Sequence, residues 1–130
     1  EAPVSRRFVH LSVFLGAMML ALCMGAGTAG AAGQPTFIDG AAWTAYKARF
    51  LDQSGRIVDT ANGDISHSEG QGYGMLLSCL AGDLPTFEAI WTFTKTQLLL
   101  RDDGLAAWKW NPDQTPHVTD INNATDGDIL

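Results

Sequence analysis

Three stretches of this chain carry residue types and spacings that can do chemistry. The first is Ser66-His67-Ser68-Glu69-Gly70-Gln71-Gly72-Tyr73-Gly74-Met75. A carboxyl at Glu69, held at the mouth of a loop, could protonate the leaving oxygen of a polymer bond. The glycines on either side of it would let a large ligand lie against the backbone. The plainer reading makes Glu69 a partner for the helix dipole, because glutamate is favoured in a first turn. A phosphate cradle fits less well, since no Lys-Ser/Thr pair follows the glycines and no strand is expected before them.

The second stretch is Asp120-Ile121-Asn122-Asn123-Ala124-Thr125-Asp126-Gly127-Asp128. Carboxylates beside amides and a glycine can serve catalysis, sugar hydroxyls or calcium, or simply cap a helix and satisfy a loop. The spacing does not match a calcium loop, which needs alternating ligands and a late glutamate. The third stretch is Ala107-Trp108-Lys109-Trp110-Asn111. Two tryptophans in a polar region can stack on pyranose rings or join the core. In an extended segment they point opposite ways, so one can face the core and the other a ligand. His67 and His117 stand alone with no ligand spacing around them, so neither a metal nor a cofactor is expected.

These residues need helices to hold them. Asp39 can cap a helix carrying Trp43, Tyr46, Phe50 and Leu51 on one face, ending at Ser54-Gly55. Residues 55–67 read as loop, with a turn at Asn62-Gly63. A second helix is expected from Ser68, as its cap, and Glu69 through Met75, Leu76, Leu77 and Leu80, ending at Ala81-Gly82. Gly70, Gly72 and Gly74 are poor helix formers inside it, and such a conflict marks a place where something approaches the backbone closely. Asp83 and Pro85 open a third helix whose apolar face is Phe87, Ile90, Trp91, Thr94 and Leu98. Residues 105–110 are too short to classify, residues 111–123 read as a long loop, and Ala124 to Leu130 as the start of a fourth helix.

The chain has 130 residues, 46% apolar and 17% charged, a globular composition. Its first residues read differently. Arg6 and Arg7 precede an uncharged apolar run from Phe8 to Met24, and small residues follow through Ala32. That order is expected of a secretory signal over residues 1–32, with cleavage near Ala31 or Ala32. The run is slightly short for a membrane span, which takes roughly 20 residues, and Leu22 before Cys23 does not fit a lipoprotein site. The chain opens on Glu1 rather than Met, so its start is expected to lie elsewhere. Cleavage would leave 6 basic residues against 13 acidic ones and move the net charge from −6 to −7. Acidity of this kind disfavours nucleic acid and anionic membrane as partners and suits a neutral polymer. It would also leave Cys79 as the only cysteine, expected to be a buried thiol.

Taken in order, the motifs resemble glycoside hydrolase family 8. They are Trp43…Tyr46-Lys47…Phe50, Gly55-Arg56-Ile57-Val58-Asp59, Ser68-Glu69-Gly70-Gln71-Gly72-Tyr73-Gly74-Met75, Ala107-Trp108-Lys109-Trp110 and Asn123-Ala124-Thr125-Asp126-Gly127-Asp128. The resemblance covers residues 41–130 and is nearest to the periplasmic endoglucanases that accompany bacterial cellulose synthesis. It implies an all-α fold, an (α/α)6 toroid of six inner and six outer helices. Residues 33–130 would then be about the first third of the catalytic domain. It implies endo-acting hydrolysis of internal β-1,4 bonds with inversion, in a secreted or periplasmic enzyme with no stable membrane association once the signal is cleaved. A functional link to the cellulose-synthesis machinery follows from the same resemblance.

Residue by residue, Glu69 matches the family's proton donor. Asp126 matches the aspartate expected to hold and distort the sugar at the cleavage point, and it is expected to lie near Glu69 in space. Tyr73 and Trp110 are candidate sugar contacts, with Tyr73 equally readable as core. The general base is expected beyond residue 130. Two alternatives remain open: a catalytically inactive carbohydrate-binding remnant, and a family member acting on xylan or chitosan.

Overall fold

The computed structural model describes residues 36–130; the expected leader lies outside them. Among the described residues the chain forms α1 (Gly40–Phe50), β1 (Ser66–His67), α2 (Ser68–Leu80), α3 (Leu84–Gln97), β2 (Lys109–Trp110) and α4 (Thr125–Ile129). None of these helices is long and apolar enough to cross a membrane.

Helix α1 starts because the Asp39 carboxylate accepts the Ala42 N–H at 2.8 Å. It ends earlier than the Ser54-Gly55 signal suggests. Leu51 turns extended and bridges to Ile57, so the helix hands over directly to a short antiparallel contact. Trp43 stacks on Tyr46 at 5.5 Å between ring centroids, and Tyr46 meets Phe50 at 5.2 Å, as the helical spacing requires.

One carboxylate ties α1 to α3. Asp83 caps α3 by accepting the Thr86 N–H and hydroxyl. It also accepts the Trp43 indole N–H at 3.0 Å and the Lys47 ammonium at 2.7 Å. Partial burial pushes this carboxyl up, but the bonds from Lys47, Trp43 and Thr86 outweigh it and hold it down at about 2.

Helices α2 and α3 pack over a core of Ile57, Met75, Phe87 and Ile90, flanked by Tyr46, Phe50, Leu84 and Trp91. Phe93 and Leu98 are buried as well. Phe93 was not expected on the apolar face of α3; it is buried on the side where Trp110 arrives from β2. Cys79, half-buried against the core, is disulfide-bonded. This corrects its reading as a thiol, which rested on cleavage of residues 1–32 leaving a single cysteine.

A loop backbone completes the core. Gly55 has φ of 87° and lies so close to α3 that a Cβ would fall 2.2 Å from the Ala89 carbonyl oxygen. Only glycine meets both demands. From the start of α2, Gln71 reaches into the same place and is completely buried. Its Oε1 accepts the Ile57 N–H at 2.6 Å, and its Nε2 faces the Gly55 carbonyl, the Ile90 carbonyl and the Thr94 hydroxyl at 3.1–3.4 Å. The 55–57 loop, α2 and α3 are thereby joined by one carboxamide.

The segments read as loops contain more pairing than expected. Ser66 and His67 pair antiparallel with Trp110 and Lys109, so a two-residue strand does precede α2. Asp59 bridges Ile65 around the Asn62-Gly63 turn. Each ladder is too short for hydrophobic alternation to reveal it.

Two stability predictions follow. Replacing Gln71 with Leu leaves the Ile57 N–H and the Gly55 carbonyl buried without partners; each such group costs about 1–3 kcal/mol, readable as a lowered urea midpoint of the full-length gene product. Asp83, whose folded value lies below its ordinary one, contributes stability that is present above about pH 4. That contribution is lost as pH falls from there towards 2, and Asp83→Asn should flatten this part of the stability–pH curve.

Candidate active site

Glu69 is the second residue of α2 and half-buried. The expected cap is not formed as predicted. His67 occupies the N-cap position, no side chain caps the helix, and the Ser68 hydroxyl is buried without a hydrogen-bond partner. Ser68 is instead held through its backbone, its N–H donating to the Trp108 carbonyl at 3.0 Å. The β1–β2 ladder and this bond set the direction in which the chain enters α2, and so where Glu69 points.

Glu69 lines a cleft of about 220 Å³ together with Val58, Asp59, His67, Gly70 and Tyr73. Among the described residues no hydrogen bond ties down its carboxylate. Tyr73, one turn on, is 47% exposed, which removes it from the core and leaves it on the cleft wall.

Helix α4 is seated on the first turn of α2 with almost no space between backbones. A Cβ on Gly127 would lie 2.0 Å from the Ser68 hydroxyl oxygen and 2.8 Å from the Glu69 nitrogen. A Cβ on Gly72 would lie 2.5 Å from the Leu130 Cβ. Asp126, next to Gly127, is therefore carried to the Glu69 end of α2. The glycines of the α2 motif mostly serve this packing rather than ligand approach: Gly72 faces Leu130 and Gly74 faces the side chains of Ile57 and Ile90, while Gly70 alone borders the cleft.

The acidic residues of the second stretch divide by their partners. Asp120 accepts the Asn122 N–H and, at 2.8 Å, the Trp108 indole N–H, and these bonds lower its carboxyl. Asp128 accepts the Ala106 N–H at 2.9 Å and the Asn123 amide at 2.6 Å. Both are structural. Asp126 is exposed, and among the described residues its carboxylate accepts only the adjacent Gly127 N–H.

Trp110 is not brought into the Glu69 cleft. Its ring stacks on His117 at 4.3 Å, meets Phe93 edge-on at 5.6 Å and lies under the Arg56 guanidinium at 4.8 Å. It borders a separate cavity of about 390 Å³ with Asp52, Arg56, Thr92 and Gln97. Its neighbour Trp108 instead lies 6.1 Å from the His67 ring, and its indole N–H donates to Asp120. The alternation of the two tryptophans was readable from sequence, but which one faces which side depends on the register of β2 against β1. The pairing of Asp59 with His67 was not read from sequence. The two lie eight positions apart, and only the Asp59–Ile65 bridge and the β1–β2 ladder bring them to one wall. Among the described residues no group of three or more His, Cys, Asp or Glu side chains could hold a metal ion.

The model of glycosyl hydrolases family 8 matches residues 11–130. The chain belongs to that family. It is 50% identical over 88 residues to a probable endoglucanase of Novacetimonas hansenii, which covers 68% of this chain and 26% of that protein. It is 48% identical over 89 residues to an endoglucanase of Cellulomonas uda, covering 68% of this chain and 25% of the relative. Among solved structures, an endo-beta-1,4-glucanase of Acetobacter xylinum is 48% identical with a TM-score of 0.63, covering 67% of this chain and 28% of that one. The chain thus spans about a quarter of the length of the relatives it matches. Its helices are part of the family's (α/α)6 toroid, somewhat less than the third expected.

The tight α2–α4 seating gives a direct test. Gly127→Ala forces a methyl into Ser68 and should push α4 away from Glu69. Overpacking of this kind costs about 1–3 kcal/mol. Activity of the full-length gene product should fall by a larger factor than its folded fraction, measured by comparing turnover with thermal unfolding.

Proposed function

We propose that this chain contributes the acid side of the active site of an endo-acting glycanase that hydrolyses internal β-1,4 bonds of cellulose or a related β-glucan with inversion. The observation that carries this reading is the Glu69 carboxylate, unbonded in a cleft at the start of α2, with the Asp126-Gly127 segment seated against the same turn. The names of the relatives, endoglucanases in each case, support it.

In this mechanism Glu69 donates its proton to the glycosidic oxygen as the bond to the anomeric carbon breaks. A water attacks that carbon from the opposite face and loses its proton to a base, which leaves the product inverted. Acid and base then stand about 6.5–9.5 Å apart to admit the water. The base is assigned to a residue beyond 130. Asp126 holds the sugar at the cleavage point, where its free oxygen can accept a ring hydroxyl. Tyr73 supplies an aromatic wall for the adjoining ring. Trp110 could contact sugar only from the separate cavity it borders. Export would bring such an enzyme to its polymer, and the absence of any positive surplus suits a neutral substrate. A functional link to cellulose synthesis belongs to the same proposal.

The test is the viscosity of a soluble carboxymethylcellulose solution treated with the full-length gene product. Viscosity should fall quickly with the unaltered protein. Glu69→Gln should be slower by about 10²–10⁴-fold, the usual worth of one acid–base group. A full-length protein that leaves cellulose, xylan and chitosan intact would instead favour a binding role without catalysis.

A further inference from the structure

Asp59 and His67 face the same cleft as Glu69 from a different part of the chain. Asp59 is fixed on one side only. Its Oδ1 accepts the Ala61 N–H at 3.1 Å, and its backbone N–H donates to the Ile65 carbonyl at 2.8 Å, which locks the turn beneath it. The other oxygen, Oδ2, makes no hydrogen bond among the described residues and lies 3.5 Å from His67 Nε2. That nitrogen is buried and makes no hydrogen bond. The imidazole is kept in place by the pairing of its backbone with Lys109 and by the Trp108 ring. Both side chains remain about a third exposed, on the cleft side.

A native structure rarely leaves a sheltered nitrogen and a carboxylate oxygen side by side and under-bonded without a reason. The rest of the lining includes the apolar side chains of Ile57 and Val58 and the Tyr73 side chain. An apolar surface with one carboxylate oxygen available is the arrangement that binds a pyranose: ring face against the aliphatic wall, hydroxyl to the anion.

Resting on the reading of this cleft as a glycanase site, we propose that Asp59 is a substrate-binding residue that accepts a hydroxyl of an unsubstituted glucose unit next to the one protonated by Glu69. His67 acts as a positioning residue, holding the Asp59 carboxylate towards the sugar. The negative charge also makes the subsite selective: a ring bearing a carboxymethyl group at that place meets a like charge and is disfavoured.

The experiment compares steady-state hydrolysis of cello-oligosaccharides and of carboxymethylcellulose by the full-length gene product and its Asp59→Asn and His67→Gln variants. Asparagine keeps an acceptor for the Ala61 N–H, so the turn is retained. For Asp59→Asn, KM on cello-oligosaccharides should rise about tenfold, as loss of one charge-assisted bond implies, with kcat within about twofold. KM on carboxymethylcellulose should rise less, and this difference between substrates should shrink as salt is added. His67→Gln should raise KM in the same direction by a smaller factor. Equal KM values for both variants and the unaltered protein would overturn the inference, as would a loss confined to kcat. Cleavage by the unaltered protein with unchanged variants sinks this assignment alone; no cleavage by any of them sinks the glycanase reading and this inference with it.

Discussion

The carboxamide of Gln71 is the interaction on which the rest of the arrangement depends. It is fully buried, and it meets the loop at Gly55 and Ile57, helix α3 at Ile90 and Thr94, and its own helix α2. A buried polar group stabilises only when it is satisfied, and here both ends of the amide are. The geometry therefore admits one placement of the 55–57 loop against the two helices. Glu69 lies two residues before Gln71 on the same first turn, so the anchoring of the amide also fixes Glu69 relative to Ile57, Val58 and Asp59. A hydrophobic side chain at position 71 could fill the space but could not specify that register.

From this anchor the structure extends in two directions. Towards the N-terminal side, Asp83 gathers Trp43, Lys47 and Thr86 and thereby clamps α1 to the start of α3. Towards the C-terminal side, the missing side chains of Gly72 and Gly127 let α4 lie directly on α2. The first device is electrostatic and weakens when the carboxyl is protonated. The second is steric and depends on no charge. The first holds the helices behind the cleft; the second sets the Asp126-Gly127 segment against the turn that carries Glu69.

Much of this was legible in the sequence. The caps at Asp39 and Asp83, the proline in the first turn of α3 and the aromatic spacing of α1 are local signals, and each appears where its residues predict. The pairing of β1 with β2 was not legible, because two residues are too few to show a period and their partners are far along the chain. The same lack of local signal hid Asp59 and His67 as neighbours of Glu69. The glycines of the α2 motif were visible as an anomaly, but sequence could not say whether ligand or protein fills the space they leave. Gly72 and Gly74 are filled by Leu130, Ile57 and Ile90, residues separated from them by many positions. Trp108 and Trp110 show the same limit, since alternation was clear but direction required the register.

Three acidic residues near the end of the chain illustrate how a motif divides its labour. Asp120 and Asp128 each accept two hydrogen bonds, among them those of the part-buried Trp108 indole and Ala106 amide. These bonds fold the 105–123 segment onto α4 and hold the Trp108 carbonyl where the Ser68 N–H can reach it. Asp126 takes no part in that scaffold beyond a bond to its neighbouring N–H. Its carboxylate is exposed and, among the described residues, bonds only within its own turn. Glu69 and Gln71 show the same contrast: Gln71, which holds the turn, is buried and fully bonded, while among the described residues no hydrogen bond ties down the Glu69 carboxylate beside it.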